Sequence, residues 1–149
     1  SMLAMMGLFD FAGTLASGWL SDRYDNRWLL FFYYGLRGLS LLYLPFSDFS
    51  IYSLSLFAIF YGLDWVATVP PTVKLTAQRF GPEKANIVFG WIFAGHQLGA
   101  ARAALAGGLS RTAWQRYMPA FIAAGVLCLI GAALVLLINR GRTPSLATA

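Results

Sequence analysis

The sequence has little charge and almost none of the residues that form disulfides or bind metals. Only 11% of its 149 residues are charged, and it contains one histidine and one cysteine, Cys128. A single cysteine excludes an internal disulfide, and no metal-ligand spacing is present. Soluble domains carry about 25% charged residues, and a soluble chain this short has too much surface to hide so much apolar area. We therefore predict no metal site, no cofactor and a lipid environment.

The sequence lacks the signals that usually mark nucleic-acid-binding proteins, secreted proteins and enzymes. Basic residues exceed acidic ones by 11 to 6, but no basic stripe with interleaved aromatic residues is present, so no nucleic-acid partner is predicted. The N-terminal residues lack the positive region and cleavage site of a signal peptide. No nucleophile–base pair or phosphate-binding loop is found, and any triad of Ser40, Asp64 and His96 would combine separate segments. We predict that the protein is not an enzyme.

Long apolar runs dominate the chain, which is 58% hydrophobic with a mean hydropathy of +0.63. Five runs approach the length of about 20 residues that a spanning helix needs: residues 2–20, 28–46, 51–75, 86–109 and 117–139. Their apolar character is continuous rather than alternating, which favours helices over a barrel. We expect an all-α integral membrane protein, with a bundle of five transmembrane helices over residues 1–139 and a disordered cytoplasmic tail over 140–149.

Two local patterns concern how these helices bend and pack. Pro70 and Pro71 adjoin in the third segment and should end or kink its helix. Gly95 and Gly99 lie four residues apart in the fourth segment, a spacing that permits close helix contact. The alternative for these glycines is that lipid simply tolerates them.

The basic residues of the loops indicate an orientation. With the first loop inside, six basic residues lie inside and two outside, namely Arg23, Arg27, Arg79, Lys84, Arg140 and Arg142 against Arg111 and Arg116. The positive-inside rule then places the first loop, the third loop and the C-terminus in the cytoplasm.

The stretch GWLSDRYDNR, residues 18–27, resembles the loop signature of the major facilitator superfamily. That signature has a glycine, three residues, an Asp-Arg pair and further basic residues, matched here by Gly18, Asp22, Arg23 and Arg27. The sequence departs from it where Asp25 and Asn26 replace a glycine and an arginine. The stretch GLDWVATVPPTVKLTAQRFGPEKANIVFGW similarly resembles the tenth helix, basic loop and eleventh helix of these transporters, in particular the monocarboxylate-porter-like branch.

The resemblance implies a position within a larger fold. Four spans and a cytoplasmic C-terminus follow the signature, as they follow its second copy, so the chain is similar to helices eight to twelve of a twelve-helix transporter. Its partners would be the lipid bilayer, a small-molecule solute and the missing N-terminal half. The location would be a bacterial inner membrane.

The implied function is secondary active transport of a small organic solute, an anion or carboxylate, by alternating access with proton coupling. The alternative is a truncated, non-transporting membrane protein that acts through a partner subunit. The resemblance also implies that the loop residues Gly18, Asp22, Arg23 and Arg27 form a conformational latch, with Asp22 meeting a neighbouring helix end or a basic residue in one conformation. The alternative is that these are solvated charges that set topology.

Ionisable and polar residues inside the spans are functional candidates because they are costly in a membrane. The candidates for a substrate or proton cavity are Asp10, Asp64, His96, Gln97 and Arg102. Asp64 is a candidate proton carrier or, alternatively, a buried partner of Arg37 or Arg102, and Asp10 has a similar ambiguity.

The remaining candidates also have two interpretations each. His96 is either a titrating or substrate-binding group or an interhelical hydrogen-bonding residue, and Gln97 lies on a different helix face. Arg102 suits a carboxylate or extends to the interface. Arg37 is expected to bond structurally to a neighbouring helix, and Lys74 to extend to the cytoplasmic surface.

Overall fold

The computed structural model describes residues 2–48 and 50–138, and this part of the chain is helical, without strands. Its six α-helices are α1 Met2–Arg23, α2 Asn26–Tyr43, α3 Ile51–Asp64, α4 Val69–Phe80, α5 Pro82–Trp114 and α6 Met118–Leu136. A short 3₁₀ turn, Leu44–Phe46, extends α2. The all-α prediction is therefore confirmed. The predicted tail, 140–149, and the end of the last predicted span at residue 139 lie outside the described residues.

Four helical segments of the described chain are long and apolar enough to cross a membrane. They are Leu3–Arg23, Asn26–Phe46, Ile51–Phe80 and Met118–Leu136, which coincide with four of the five predicted spans. The remaining predicted span lies within α5. This helix has 33 residues, so it is long enough to cross at 1.5 Å per residue. His96, Gln97 and Arg102 lower its hydropathy, so it does not reach the apolar character of the other four.

The third span is divided into two helices. Helix α3 ends at Asp64, residues 65–68 form a turn, and α4 begins at Val69. Pro70 and Pro71 stand in the first turn of α4, where proline is tolerated because first-turn N–H groups have no partner within the helix. The predicted interruption is present, and it lies just before the prolines, at residues 65–68.

Glycines bring the helices into close contact in two pairs. Gly13 of α1 lies directly against the backbone of α3, and a Cβ on Gly62 of α3 would lie 2.7 Å from a carbonyl oxygen of α1. Helices α2 and α6 meet in the same way, since a Cβ on Gly38 would lie 2.9 Å from the carbonyl oxygen of Gly125. The backbones approach this closely because glycine has no side chain between them.

Helix α5 lies apart from this tightly packed group. It packs against α4 and, at fewer places, against α6, and all its residues from 91 to 106 are exposed. A Cβ added to Gly95 or Gly99 would meet no atom within 4 Å. The expected close helix contact at these two glycines is therefore not formed among the described residues. The apolar core lies instead around Leu41, Leu44 and Phe57 of the other helices.

Candidate functional site at the helix break

The break between α3 and α4 exposes backbone groups that a continuous helix would have paired. In hydrocarbon each unsatisfied N–H or C=O costs several kcal/mol, so non-helical backbone needs partners inside the protein. Part of the turn pairs locally, since the Trp65 N–H donates to the Gly62 carbonyl at 3.1 Å and the Val69 N–H to the Val66 carbonyl at 2.9 Å. Four other backbone groups at the break bond to side chains of α1 and α2.

Helix α1 contributes two of these side chains. The Val66 N–H donates to Oδ1 of Asp10 at 3.0 Å. The Ser17 hydroxyl donates to the Ala67 carbonyl at 2.5 Å, and Ser17 and Ala67 are both completely buried. Asp10 and Ser17 lie seven residues apart, on one side of α1. Together they bond the segment between α3 and α4 to that side of α1.

Helix α2 contributes Arg37, which contacts the break at three atoms. Its Nε lies 3.1 Å from Oδ2 of Asp64, and its Nη2 donates to the carbonyls of Asp64 and, at 3.1 Å, Trp65. The Asp64 side chain is 2% exposed and that of Arg37 15%. Of the two partners predicted for Asp64, the structure therefore places Arg37 in contact with it, and α2 is joined to the end of α3.

One oxygen of Asp64 is left over. Oδ1 is buried and has no hydrogen-bond partner among the described residues. A buried oxygen without a partner is unusual, because most buried side-chain polar atoms are hydrogen-bonded. The buried Asp64 side chain therefore has one oxygen bonded to Arg37 and one oxygen without a described partner.

The predicted cavity residues do not come together in one place. Asp10 and Asp64 lie at the break. His96, Gln97 and Arg102 lie on the exposed part of α5, where the His96 ring stacks on Phe93 with centroids 6.2 Å apart. The chain thus has two groups of polar candidates, one buried and one exposed.

The loop signature makes its contacts at the ends of the helices. Asp22 forms an ion pair with Lys74 of α4, so the Lys74 side chain extends to the exposed end of α1, beside the loop signature. The Arg23 guanidinium lies over the Trp19 ring, 4.1 Å from its centroid. Gly18 lies inside α1, where a Cβ would meet nothing within 4 Å. A larger residue would fit at position 18, so packing does not explain why the signature has a glycine there.

Arg27 connects the beginning of α2 with the end of α6. Asp25 caps α2 by accepting from the Arg27 N–H at 3.0 Å. The Arg27 Nη2 lies 2.8 Å from Oδ2 of the same aspartate, and its Nη1 donates to the Ile138 carbonyl at 2.9 Å. The loop between α1 and α2 is thereby fixed to the C-terminal end of α6.

Sequence reasoning missed Ser17 and the packing glycine Gly13. Together with Ser21 they repeat every fourth residue along α1, and all three are buried. Small residues at this spacing indicate a face of close helix contact. The same spacing of small residues is therefore present in the first segment, where the helices do pack closely, and not only at Gly95 and Gly99 in the fourth.

The described residues contain no group of three or more His, Cys, Asp or Glu side chains that could hold a metal ion. A family model described as Major Facilitator Superfamily matches residues 1–148 of the chain. Neither the curated proteins nor the solved structures contain a match.

Proposed function

Because this chain belongs to the major facilitator superfamily, we propose that it is the C-terminal part of a secondary active transporter. It moves a small organic anion such as a carboxylate by alternating access, and the movement is coupled to protons. The observation that carries the proposal is the broken third span, whose freed backbone groups bond to Asp10, Ser17 and Arg37. Discontinuous helices near the bilayer midplane are typical of substrate and ion sites in transporters.

Asp64 is the proton-carrying group in this proposal. Its Oδ1 has no described partner, while its Oδ2 neutralises Arg37. A proton on Asp64 removes the charge that holds Arg37, and Arg37 also holds two carbonyls of the break. Protonation therefore loosens the contact between α2 and α3, which couples the proton to a rearrangement of the third span. Asp10 positions the turn as the acceptor of the Val66 N–H.

The solute contacts lie on α5. Arg102 offers a planar guanidinium that suits a carboxylate, and His96 and Gln97 provide further hydrogen bonds. All three are exposed on the part of α5, residues 91–106, that no described residue covers. An N-terminal half of the same transporter, absent from this chain, would face them across the cavity.

The loop residues form the latch. Asp22 pairs with Lys74, and Arg27 bonds to the end of α6, while Gly18 and Arg23 belong to the same signature. In one conformation these contacts join α1 to α4, and α2 to the end of α6, at the side that the loop charges assign to the cytoplasm. The C-terminus lies on that side too, in a bacterial inner membrane.

The test is transport by the full-length gene product in proteoliposomes, with radiolabelled monocarboxylates and an imposed proton gradient. The wild type should accumulate label when the lumen is made alkaline. Asp64→Asn should keep solute exchange but lose accumulation driven by the pH gradient. Arg102→Ala should lose carboxylate uptake altogether. Arg79→Gln, at the end of α4, serves as the matched control and should behave as wild type.

Each part of the proposal has its own contrary result. Accumulation that survives in Asp64→Asn removes Asp64 as the proton carrier. Unchanged uptake by Arg102→Ala removes the anion assignment. The alternative, a non-transporting protein that acts through a partner subunit, is favoured by the exposed face of α5. Sequencing the gene upstream of Ser1 separates the two, because further encoded spans support the transporter and an early stop codon supports the partner subunit.

A further inference from the structure

An apolar cleft lies between α5 and α6. Its volume is about 340 Å³, and Gly107 of α5 and Ala123 of α6 line opposite walls. Leu41 and Tyr61 line it from the sides of α2 and α3. Among the lining side chains, polar atoms belong to tyrosines alone. The cleft therefore suits an apolar occupant of the size that small-molecule sites hold, about 300–1,000 Å³.

The residues around the cleft indicate which apolar molecule could enter it. Helices α2 and α6 belong to segments apolar enough to cross a membrane, and Leu127 on the cleft wall is 66% exposed. The cleft thus opens into the hydrocarbon of a bilayer. Lipid acyl chains are the apolar groups present there. An acyl chain within the cleft would occupy the gap between α5 and α6.

The mouth of the cleft carries positive charge. Tyr117 lines the cleft, and the Arg111 guanidinium lies 5.7 Å from the centroid of its ring. Arg111 donates from Nη1 to the Gln115 carbonyl, which uses one of the five N–H groups of a guanidinium. Arg116 is exposed in the loop between α5 and α6. Guanidinium groups match phosphate oxygens in geometry and charge, so the mouth complements an anionic head group.

We propose that the cleft binds one anionic phospholipid. An acyl chain lies along Gly107 and Ala123, and the phosphate lies against Arg111 at the end of α5. This site does not depend on transport or on the identity of a solute. It assigns the exposed Arg111 and the small residues of the cleft to one ligand, which holds α5 beside α6.

The experiment is native mass spectrometry of the purified 149-residue protein, delipidated and then exposed to equal amounts of phosphatidylglycerol and phosphatidylcholine. Gly107→Leu fills the cleft, since a Cβ there would meet no atom within 4 Å, and Ala106→Leu is a second filling variant. Arg111→Gln removes the charge at the mouth. The matched controls are Gly108→Leu, one residue round the same helix, and Arg79→Gln on α4.

Wild type should retain phosphatidylglycerol in preference to phosphatidylcholine. Both filling variants should lose bound lipid of both kinds. Arg111→Gln should lose about fivefold in the preference for phosphatidylglycerol, the effect of one basic residue at an anionic lipid surface. The controls should match wild type, circular dichroism should report unchanged helix content, and excess glycerol phosphate, which has no acyl chain, should not displace the lipid.

Three results would overturn the proposal. The cleft is not the site if both filling variants retain lipid as wild type does. The phosphate does not lie on Arg111 if Arg111→Gln keeps the full preference for phosphatidylglycerol. Displacement of the lipid by glycerol phosphate would mean that the acyl chain contributes nothing.

Discussion

Arg37 of α2 and Asp64 at the end of α3 form an ion pair beside the break in the third span, with Arg37 Nε 3.1 Å from Asp64 Oδ2. The same guanidinium donates to the carbonyls of Asp64 and Trp65. One side chain thus balances a buried charge and satisfies backbone groups that the helix break leaves open. The pair explains how a charged residue and a turn are accommodated together within an apolar segment.

Removing Arg37 should destabilise the protein strongly. Arg37→Ala leaves the Asp64 carboxylate buried without its counter-charge, and breaking a buried pair in this way costs about 3–5 kcal/mol. Asp64→Asn should cost less, because the amide oxygen still accepts from Arg37, and the guanidinium that loses its counter-charge is 15% exposed and keeps two carbonyl acceptors. The measurement is the free energy of unfolding in mixed detergent micelles with increasing dodecyl sulfate. Arg79→Ala on the exposed end of α4 is the control, and an equal loss in both arginine variants would contradict the role of the pair.

The hydrogen bond from Val66 to Asp10 should be measurable in the same assay. Asp10→Ala leaves the half-buried Val66 without an acceptor for its N–H, and a donor left unsatisfied away from water costs about 1–3 kcal/mol. Asp10→Asn keeps a side-chain oxygen at the same place and should restore most of the loss. If Asn and Ala destabilise the protein equally, the hydrogen bond is not what Asp10 contributes.

The close contact between α1 and α3 predicts opposite effects of alanine at two glycines of one helix. Gly13→Ala places a methyl group against the backbone of Leu63, and such overpacking costs typically about 1–3 kcal/mol. Gly7→Ala meets no atom within 4 Å, so it should stabilise α1 by up to about 1 kcal/mol through helix propensity. The free energies of unfolding of the two variants test this, and a gain in Gly13→Ala would contradict the packing of α1 on α3.

Asp48 should make stability depend on pH at the loop before α3. The Ser53 hydroxyl donates to its Oδ1 at 2.5 Å and the Ser50 N–H at 3.2 Å, and these bonds hold the pKa of Asp48 below its ordinary value. A carboxylate with a lowered pKa in the folded state stabilises the protein above the unfolded pKa, about 3.9. That contribution disappears as the pH falls through the folded value.

The Asp48 prediction is measured as the thermal unfolding midpoint between pH 6 and pH 3. Asp48→Asn should lower the midpoint near pH 6 and flatten its decline below pH 4. Ser53→Ala should flatten the decline as well, because it removes the first donor. A variant that declines as steeply as wild type would show that other carboxylates cause the loss.

The helices themselves follow from the sequence to a large extent. Apolar length predicts α1, α2 and α6, and the two prolines predict an interruption of the third span. Its position at residues 65–68 could not be read from the prolines alone, because Pro70 and Pro71 fit the first turn of a new helix. The turn is stable there because Asp10 and Arg37, distant in sequence, lie beside it.

The sequence identifies the individual residues of the candidate site, but it does not predict which of them are in contact. Asp10, Asp64 and Arg37 are visible as polar residues in apolar runs. Which of them meet depends on glycine contacts such as Gly13 on α3, which bring the helices together. Arg102 was, like Arg37, a candidate partner of Asp64, and the fold places it on an exposed helix face away from Asp64.

The sequence by itself determined that this chain is helical, apolar enough for a membrane and a member of the major facilitator superfamily, because these depend on composition, run length and motif. Only the tertiary structure decided that Arg37 is the partner of Asp64, that Lys74 bonds to Asp22 and that Arg27 reaches the end of α6. Ion pairs and backbone caps between helices depend on which faces pack together. Residue spacing along one segment does not contain that information.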